Sequence, residues 1–394
     1  MPAPEPESGL PPCPNHADQL RAARRAQLMA ADCKAPAPSP RTPWHVAWLR
    51  LIGTYAVAAA AGYAASLIHI PLPWMLGPLF VCGLLNVSGV PLQAGWHLRE
   101  IGQVIVGLAI GMRFTPHLLL VSLELLPAML VATLYIILAT FIGALIMRPL
   151  ARIDATTAFF ATAAGGMADM AVVAAARGGD TNAVSIVHAL RVTTVVSIVP
   201  FMVFAFGEAG NVTTVDPTAS QDLLLLGLGL IIAYLGAQAL RPTVIPNPWL
   251  LGSLLPSAAL GASGLMNVAV PGILIIAAQI MIGVWLSMRF RRDLFVRLPR
   301  VAASGLLIGV LLILAAAVGA EALSLATGLP LTTSFLALAP AAITEMVLTA
   351  KAMHADAELV TAFHIVRIAV ISSTILIVFR VYRFVLRSHY ESGV

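Results

Sequence analysis

From residue 46 onward the chain is a succession of apolar runs separated by short polar joints. The runs cover 46–68, 73–90, 98–114, 118–147 and 182–206, then 222–240, 247–264, 272–288, 301–323 and 359–382. A run of about 17–25 apolar residues crosses a ~30 Å hydrocarbon core as an α-helix. The two-residue alternation that marks a transmembrane barrel is missing. The pattern predicts an all-α polytopic membrane protein of about ten transmembrane helices. Two further apolar segments, 155–178 and 332–353, are studded with Thr, Gly, Pro and an acid. The first holds Gly165 and Gly166, each weakening a helix by ~1 kcal/mol relative to Ala. The second holds Pro340, which removes an amide donor and clashes with the preceding turn. Both segments are expected to be interrupted or re-entrant.

The chain also repeats itself. Gln103 falls on Gln279, Gly107 on Gly283, Met112-Arg113-Phe114 on Met288-Arg289-Phe290, Thr157 on Thr333, Asp169 on Glu345, Asp180 on Asp356, His188 on His364 and Arg191 on Arg367, always 176 residues apart. Upstream, "PWMLGPL" at 73–79 matches "PWLLGSL" at 248–254 with a one-residue slip. A fixed offset over this length marks an internal duplication.

Basic residues orient the copies. The loop 289–300 carries arginines at 289, 291, 292, 297 and 300, and the C-terminal flank carries Arg380, Arg383 and Arg387, so both are expected in the cytoplasm. Runs 301–323 and 359–382 supply two crossings between them, and 332–353 must then enter and leave on one side. Five crossings per copy is odd, so the repeats are inverted. The organisation expected is a disordered cytoplasmic tail (1–43), membrane repeat one (44–206), an external connector free of Lys and Arg (207–221), membrane repeat two (222–385) and a cytoplasmic C-terminus (386–394). Full crossing of both interrupted segments would instead give twelve spans with parallel repeats.

Composition agrees: 59% of residues are hydrophobic, and 10% are charged where soluble domains carry about a quarter. The net charge of +5 resides in a tail and short loops, which speaks for topology and against nucleic acid as a partner. Cys13, Cys33 and Cys82 form neither a metal spacing nor a disulfide framework. The proline-rich tail lacks a signal peptide's apolar region, and Met29 offers an alternative start.

Candidate chemistry concentrates at the interruptions. Asp169 and Glu345 follow the breaks at equivalent positions. A carboxylate at membrane depth costs ~2.5–3.5 kcal/mol and so faces protein or water, where it can carry H⁺ or ligate Na⁺. His188/Arg191 and His364/Arg367 are spaced i, i+3 on one helix face. Arginine offers a fork for an anionic solute and histidine can titrate. The alternative is structural, with Arg191 pairing to Asp169 and Arg367 to Glu345. The expected substrate-binding set is Arg191, Arg367, Gln103, Gln279, Gly165, Gly166 and Pro340, and the ion-coupling set is Asp169, Glu345, His188 and His364. Helix–helix bonding is the competing role for both glutamines. Arg113 and Arg289 are expected to snorkel to the interface. No clustered metal ligands and no nucleotide-binding loop are present, so no metal, no cofactor and no enzyme activity is expected.

The residues quoted, above all "PWMLGPL", "ATAAGGMADMAVVAAARGGDTNAVSIVHALR" and "LALAPAAITEMVLTAKAMHADAELVTAFHIVR", resemble the AbrB family of bacterial inner-membrane proteins over residues 45–385. The resemblance implies a duplicated membrane unit in the bacterial inner membrane. Two labels attached to that family fit poorly. A small soluble DNA-binding regulator has a different architecture, and an ammonia monooxygenase needs clustered metal ligands where these histidines are scattered. The five-plus-five layout is similar to that of cation/proton antiporters and bile-acid carriers. The expected function is an ion-coupled secondary transporter of a small organic anion, amino acid or related metabolite. The alternatives are a membrane-embedded regulator of gene expression acting through a partner, and a membrane oxygenase. The partners expected are lipid, the solute with H⁺ or Na⁺, and a second copy of the chain in a homodimer.

Overall fold

The computed structural model describes residues 44–95, 97–206, 222–243, 245, 247–290 and 298–391. The expectations for the tail 1–43, the connector 207–221 and the basic stretch 291–297 fall outside the described residues. Every regular element among them is helical: α1 (Trp44–Leu67), α2 (Pro73–Val87), α3 (Leu98–Gly111), α4 (Pro116–Glu124), α5 (Leu126–Ala151), α6 (Ala155–Thr162), α7 (Met167–Ala175), α8 (Thr181–Phe206), α9 (Leu223–Leu240), α10 (Pro248–Ala262), α11 (Gly272–Ser287), α12 (Pro299–Thr327), α13 (Leu331–Leu338), α14 (Ile343–Ala352) and α15 (Ala357–Glu391). The duplication is visible element by element, since α6 begins 176 residues before α13, α7 before α14 and α8 before α15.

Among the described residues, six stretches are long and apolar enough to cross a membrane: His45–Leu67, Leu126–Ala151, Thr181–Ala205, Leu223–Leu240, Pro299–Thr327 and Ala357–Leu386. Their outward faces carry residues such as Leu49, Leu134, Leu138, Leu223 and Leu314, exposed in rows that water would not tolerate and lipid would. Four runs read as spans are shorter than expected. The 15 residues of α2 and of α10, the 14 of α3 and the 16 of α11 reach only ~21–24 Å at ~1.5 Å each. The run 118–147 is divided: α4 ends at Glu124 and α5 starts at Leu126. Pro127 explains the division, because in a continuous helix its ring would clash with the carbonyl four residues earlier. α4 lies at 92° to α3.

The helices sort into two bundles. α1, α2, α3, α9, α10 and α11 pack on one another, and α5–α8 pack with α12–α15. Each bundle therefore takes equivalent pieces from both repeats. Close crossings in the first bundle use glycine. A Cβ on Gly77 would lie 2.5 Å from the Ala61 carbonyl oxygen, and one on Gly283 would lie 2.6 Å from the Met75 carbonyl oxygen. The second bundle is welded by larger groups: Phe159 and Phe160 of α6 stack with Phe379 and Tyr382 of α15, and the Tyr382 hydroxyl donates to the Ala144 carbonyl at 3.2 Å. Between the bundles α3 touches α14 and α15, and a shared apolar core joins Met75, Leu250 and Ile282 to Val195, Leu336 and Met346.

The interrupted segments are hairpins. The Asp180 amide, beyond the end of α7, donates to Thr157 Oγ1 at the start of α6 (2.8 Å). The Asp356 amide donates to Thr333 Oγ1 in the same way (3.4 Å). Each segment thus returns to the level at which it began. Asp154 fixes the first start, its carboxylate accepting from the Thr157 amide (2.9 Å) as a helix N-cap does.

Candidate functional site

The helix that follows each hairpin runs alongside the hairpin's first half. His188 pairs with the Phe160 carbonyl and His364 with the Leu336 carbonyl, at 2.8 and 3.0 Å. Three residues on, Arg191 Nη1 donates to the carbonyls of Thr162 (2.9 Å) and Ala163 (2.8 Å). Arg367 divides the same task, Nη1 to Ala339 (2.8 Å) and Nη2 to Ala341 (3.0 Å). The Thr162, Ala163 and Ala339 carbonyls close α6 and α13 at the break, where the intrahelical partners run out and the helix dipole favours a cation, and Ala341 lies in the break before α14. Each guanidinium therefore caps the C-terminus of a half-helix, and Arg367 also ties down the break beyond it.

The histidines complete the clamps. A carbonyl accepts from Nε2–H, which leaves Nδ1 as the acceptor facing Arg191 Nη2 (3.1 Å) or Arg367 Nη2 (2.5 Å). A second proton on either ring would set donor against donor, so this geometry requires neutral histidine. Of the expected set, His188, His364, Arg191 and Arg367 are brought together at the breaks as braces. No ion pair between Arg367 and Glu345 occurs among the described residues.

The breaks themselves are extended backbone. Ala163 has φ −51°, ψ 138° and Ala339 has φ −53°, ψ 131°. Pro340 accounts for the second, because a residue preceding proline is excluded from the helical region. The glycines act through space. Gly166 has φ −65°, ψ 137°, available to any residue, and its counterpart is Ala342. A Cβ on Gly166 would lie 2.6 Å from Asp169 Oδ2, and one on Gly165 would lie 2.5 Å from the end of Met170. Gly166 leaves room for the Asp169 carboxylate to fold back over the break. Asp169 and Glu345 both stand in the first turn of the second half-helix, where the N-terminal dipole favours negative charge.

Glu345 meets the other bundle. It is 4% exposed, and its Oε2 has no hydrogen-bond partner among the described residues. Beside it, Thr344 Oγ1 accepts from Gln103 Nε2 of α3 and from Asn247 Nδ2 just before α10, both at 3.3 Å. Gln103 Oε1 is a second buried acceptor without a partner there. The Glu345 charge acts on Arg99, one turn before Gln103 on α3, and on Arg289, just past α11. Burial pulls the Arg289 guanidinium down to about 10, and Glu345 opposes that pull. Both guanidiniums lie over the Trp285 ring, 3.8 Å (Arg99) and 4.2 Å (Arg289) from its centroid. Arg289 is thus stacked where snorkelling was expected. Its counterpart Arg113 forms an ion pair with Glu358 at 3.5 Å, joining α3 to α15. Gln279 is buried in α11, outside this cluster.

Sequence reasoning missed Arg99, Asn247, Trp285 and Thr344. Their counterparts in the other copy are Ile275, Leu72, Ala109 and Ala168. Comparing the copies finds what both share, and this cluster exists in one copy alone. The available signal was Arg99 itself, a cation one helical turn from a buried glutamine.

The sequence profile of the family described as "Transition state regulatory protein AbrB" matches residues 74–383. The chain belongs to the AbrB family. The matched region contains both hairpins, both His–Arg clamps and the Glu345 cluster. The chain is 30% identical over 343 residues to "Uncharacterized protein YhjN" of Bacillus subtilis (strain 168), covering 80% of this chain and 88% of that protein. It is 25% identical over 307 residues to "Putative regulator AbrB" of Escherichia coli (strain K12), covering 76% of this chain and 87% of that protein.

Proposed function

We propose that this AbrB-family protein is an ion-coupled secondary transporter that moves a small organic anion, amino acid or related metabolite by alternating access, and that it is not an enzyme. The observation that carries this reading is the pair of hairpins whose breaks stop part-way along a spanning helix with an acid at each. Arg191 and Arg367 each lie ten residues past the first residue of α8 and α15. Ten residues of helix advance ~15 Å, half of a ~30 Å hydrocarbon core. Interrupted helices meeting at mid-depth between inverted repeats are a recurrent transporter design. The return of each hairpin to its starting level supports five crossings per copy, inverted repeats, and hairpins entering from opposite faces. Two bundles that each take pieces from both repeats, meeting along an apolar seam, are suited to rocking against each other. Asp169 and Glu345 would then bind the coupling ion, with both termini in the cytoplasm.

The test uses purified protein in liposomes loaded with a pH-sensitive dye and challenged with organic acids and amino acids, with and without Na⁺. Wild type is compared with Asp169→Asn and Glu345→Gln. Solute-dependent ion flux abolished by either substitution is the expected result. Absence of flux across the panel from folded protein would refute the reading and favour the regulator function carried in the name of the Escherichia coli relative.

A further inference from the structure

We infer that Arg99, Arg289 and Trp285 form a recognition site for a small dicarboxylate, and that Glu345 is the built-in anion that competes with it. This rests on and deepens the transport reading, by naming the solute class and placing it away from the two His–Arg clamps. Four observations carry it. The first is the stack. Two planar cations within 3.8 and 4.2 Å of one ring centroid must occupy opposite faces of it. Stacking engages the flat faces of a guanidinium and leaves its N–H edges directed outward, ready for a carboxylate. The second is that neither arginine forms an ion pair within 4.0 Å among the described residues, although the duplicated counterpart of Arg289 does, with Glu358. The third is Glu345, buried, its Oε2 unpartnered, and within electrostatic reach of both cations. The fourth is charge balance. Arg99 and Arg289 share Glu345, and the other carboxylate acting on Arg99 is Glu100, which also meets His97 Nδ1 at 3.0 Å. Among the described residues Arg289 has Glu345 as its one acting carboxylate, and a partly buried cation short of a partner is costly until an anion joins it.

A dianion fits better than a monoanion. One carboxylate fills the fork of one arginine, and the indole separates the second fork from it. Removing the Glu345 charge leaves both guanidinium forks to the two carboxylates of the solute. The other charged groups near Glu345 do not compete: Arg367, on the helix behind it, is held by the break carbonyls, and Lys351, on its own helix, lies nearer Arg113 and Glu358.

The full chain in nanodiscs is titrated calorimetrically with succinate, butyrate, inorganic phosphate and ethane-1,2-disulfonate, the last a dianion whose charge does not change with pH. Saturable binding of succinate and the disulfonate is expected, at least tenfold tighter than butyrate or phosphate. Arg99→Gln, Arg289→Gln and Arg289→Lys should each weaken it tenfold or more, with Arg241→Gln unchanged. Trp285→Leu should weaken it and Trp285→Phe should restore part of the affinity. Glu345→Gln, which removes the competing charge, should bind the disulfonate at least tenfold more tightly than wild type. Monodisperse wild-type protein that binds no dianion, or arginine variants that bind like wild type, would overturn the site. Butyrate or phosphate binding as tightly as succinate would overturn the assigned class. Dianion binding without liposome flux would sink the transport reading alone, and flux of another solute without dianion binding would sink the site alone.

Discussion

The two clamps use the same residues with different geometry, and lysine substitution should separate them. Arg191 reaches both break carbonyls from a single nitrogen, Nη1, whereas Arg367 reaches its two from different nitrogens. Lysine has one nitrogen with three donors. Arg191→Lys can keep both carbonyls and lose only the bond to His188. Arg367→Lys must lose the bond to His364 and also abandon one carbonyl. A hydrogen bond from a charged donor is worth ~1.5–3 kcal/mol. Arg367→Lys should therefore cost ~1.5–3 kcal/mol more than Arg191→Lys. Equilibrium unfolding in mixed micelles gives the global difference. Hydrogen exchange gives the local one, as opening of 337–342 in Arg367→Lys rising at least tenfold more than opening of 161–166 in Arg191→Lys. Equal costs, or a larger cost for Arg191→Lys, would refute the reasoning, because equivalent positions would then act through charge alone.

Further substitutions test other joints. Gly166→Ala introduces a Cβ that would press on Asp169 Oδ2 at 2.6 Å while keeping an allowed backbone; the protein should fold, and its ion flux should fall as in Asp169→Asn. Gly77→Ala forces a methyl against the Ala61 carbonyl and should destabilise by ~1–3 kcal/mol. Gly227→Ala, in a helix with nothing within 4 Å, should stabilise by up to ~1 kcal/mol, both effects read from thermal unfolding. Arg113→Gln removes the ion pair between bundles and should raise alkylation of a cysteine placed at Leu359, buried beside Glu358, whereas unchanged labelling would show that the pair does not hold that face shut.

The helical fold, the duplication and the hairpins were legible because each leaves a long-range or periodic mark: spans in hydropathy, copies in a constant offset, breaks in Gly165, Gly166 and Pro340. The duplicated His–Arg pairs were legible as a feature, and their hydrogen bonds to break carbonyls were not. A carbonyl has no letter in the sequence, and the geometry depends on which residues end α6 and α13. The division at Leu125 was readable in principle from Pro127. The cluster around Glu345 was hidden because Arg99, Asn247, Trp285 and Thr344 lie far apart in the chain and have apolar counterparts in the other copy. Nothing local distinguishes Trp285 from an interfacial tryptophan until α3 and α11 are packed.

The sharing of each bundle between both repeats also governs how the protein is made. The Arg191 clamp closes over 28 or 29 residues and can form as soon as α8 is synthesised. The Gln103–Thr344 bond closes over 241 residues. When residue 206 has been made, the nascent chain holds half of two bundles and the whole of neither. Gly77 and Ala61 can meet, but Gly283 is not yet there to receive Met75, and Phe159 and Phe160 have no Phe379 to pack on. Contacts of such sequence separation form late and leave surfaces open meanwhile. The first repeat should then be the stretch most dependent on insertion machinery and most vulnerable to proteolysis during biogenesis. A chain stopped after residue 206 should be degraded unless 222–391 is co-expressed to complete both bundles.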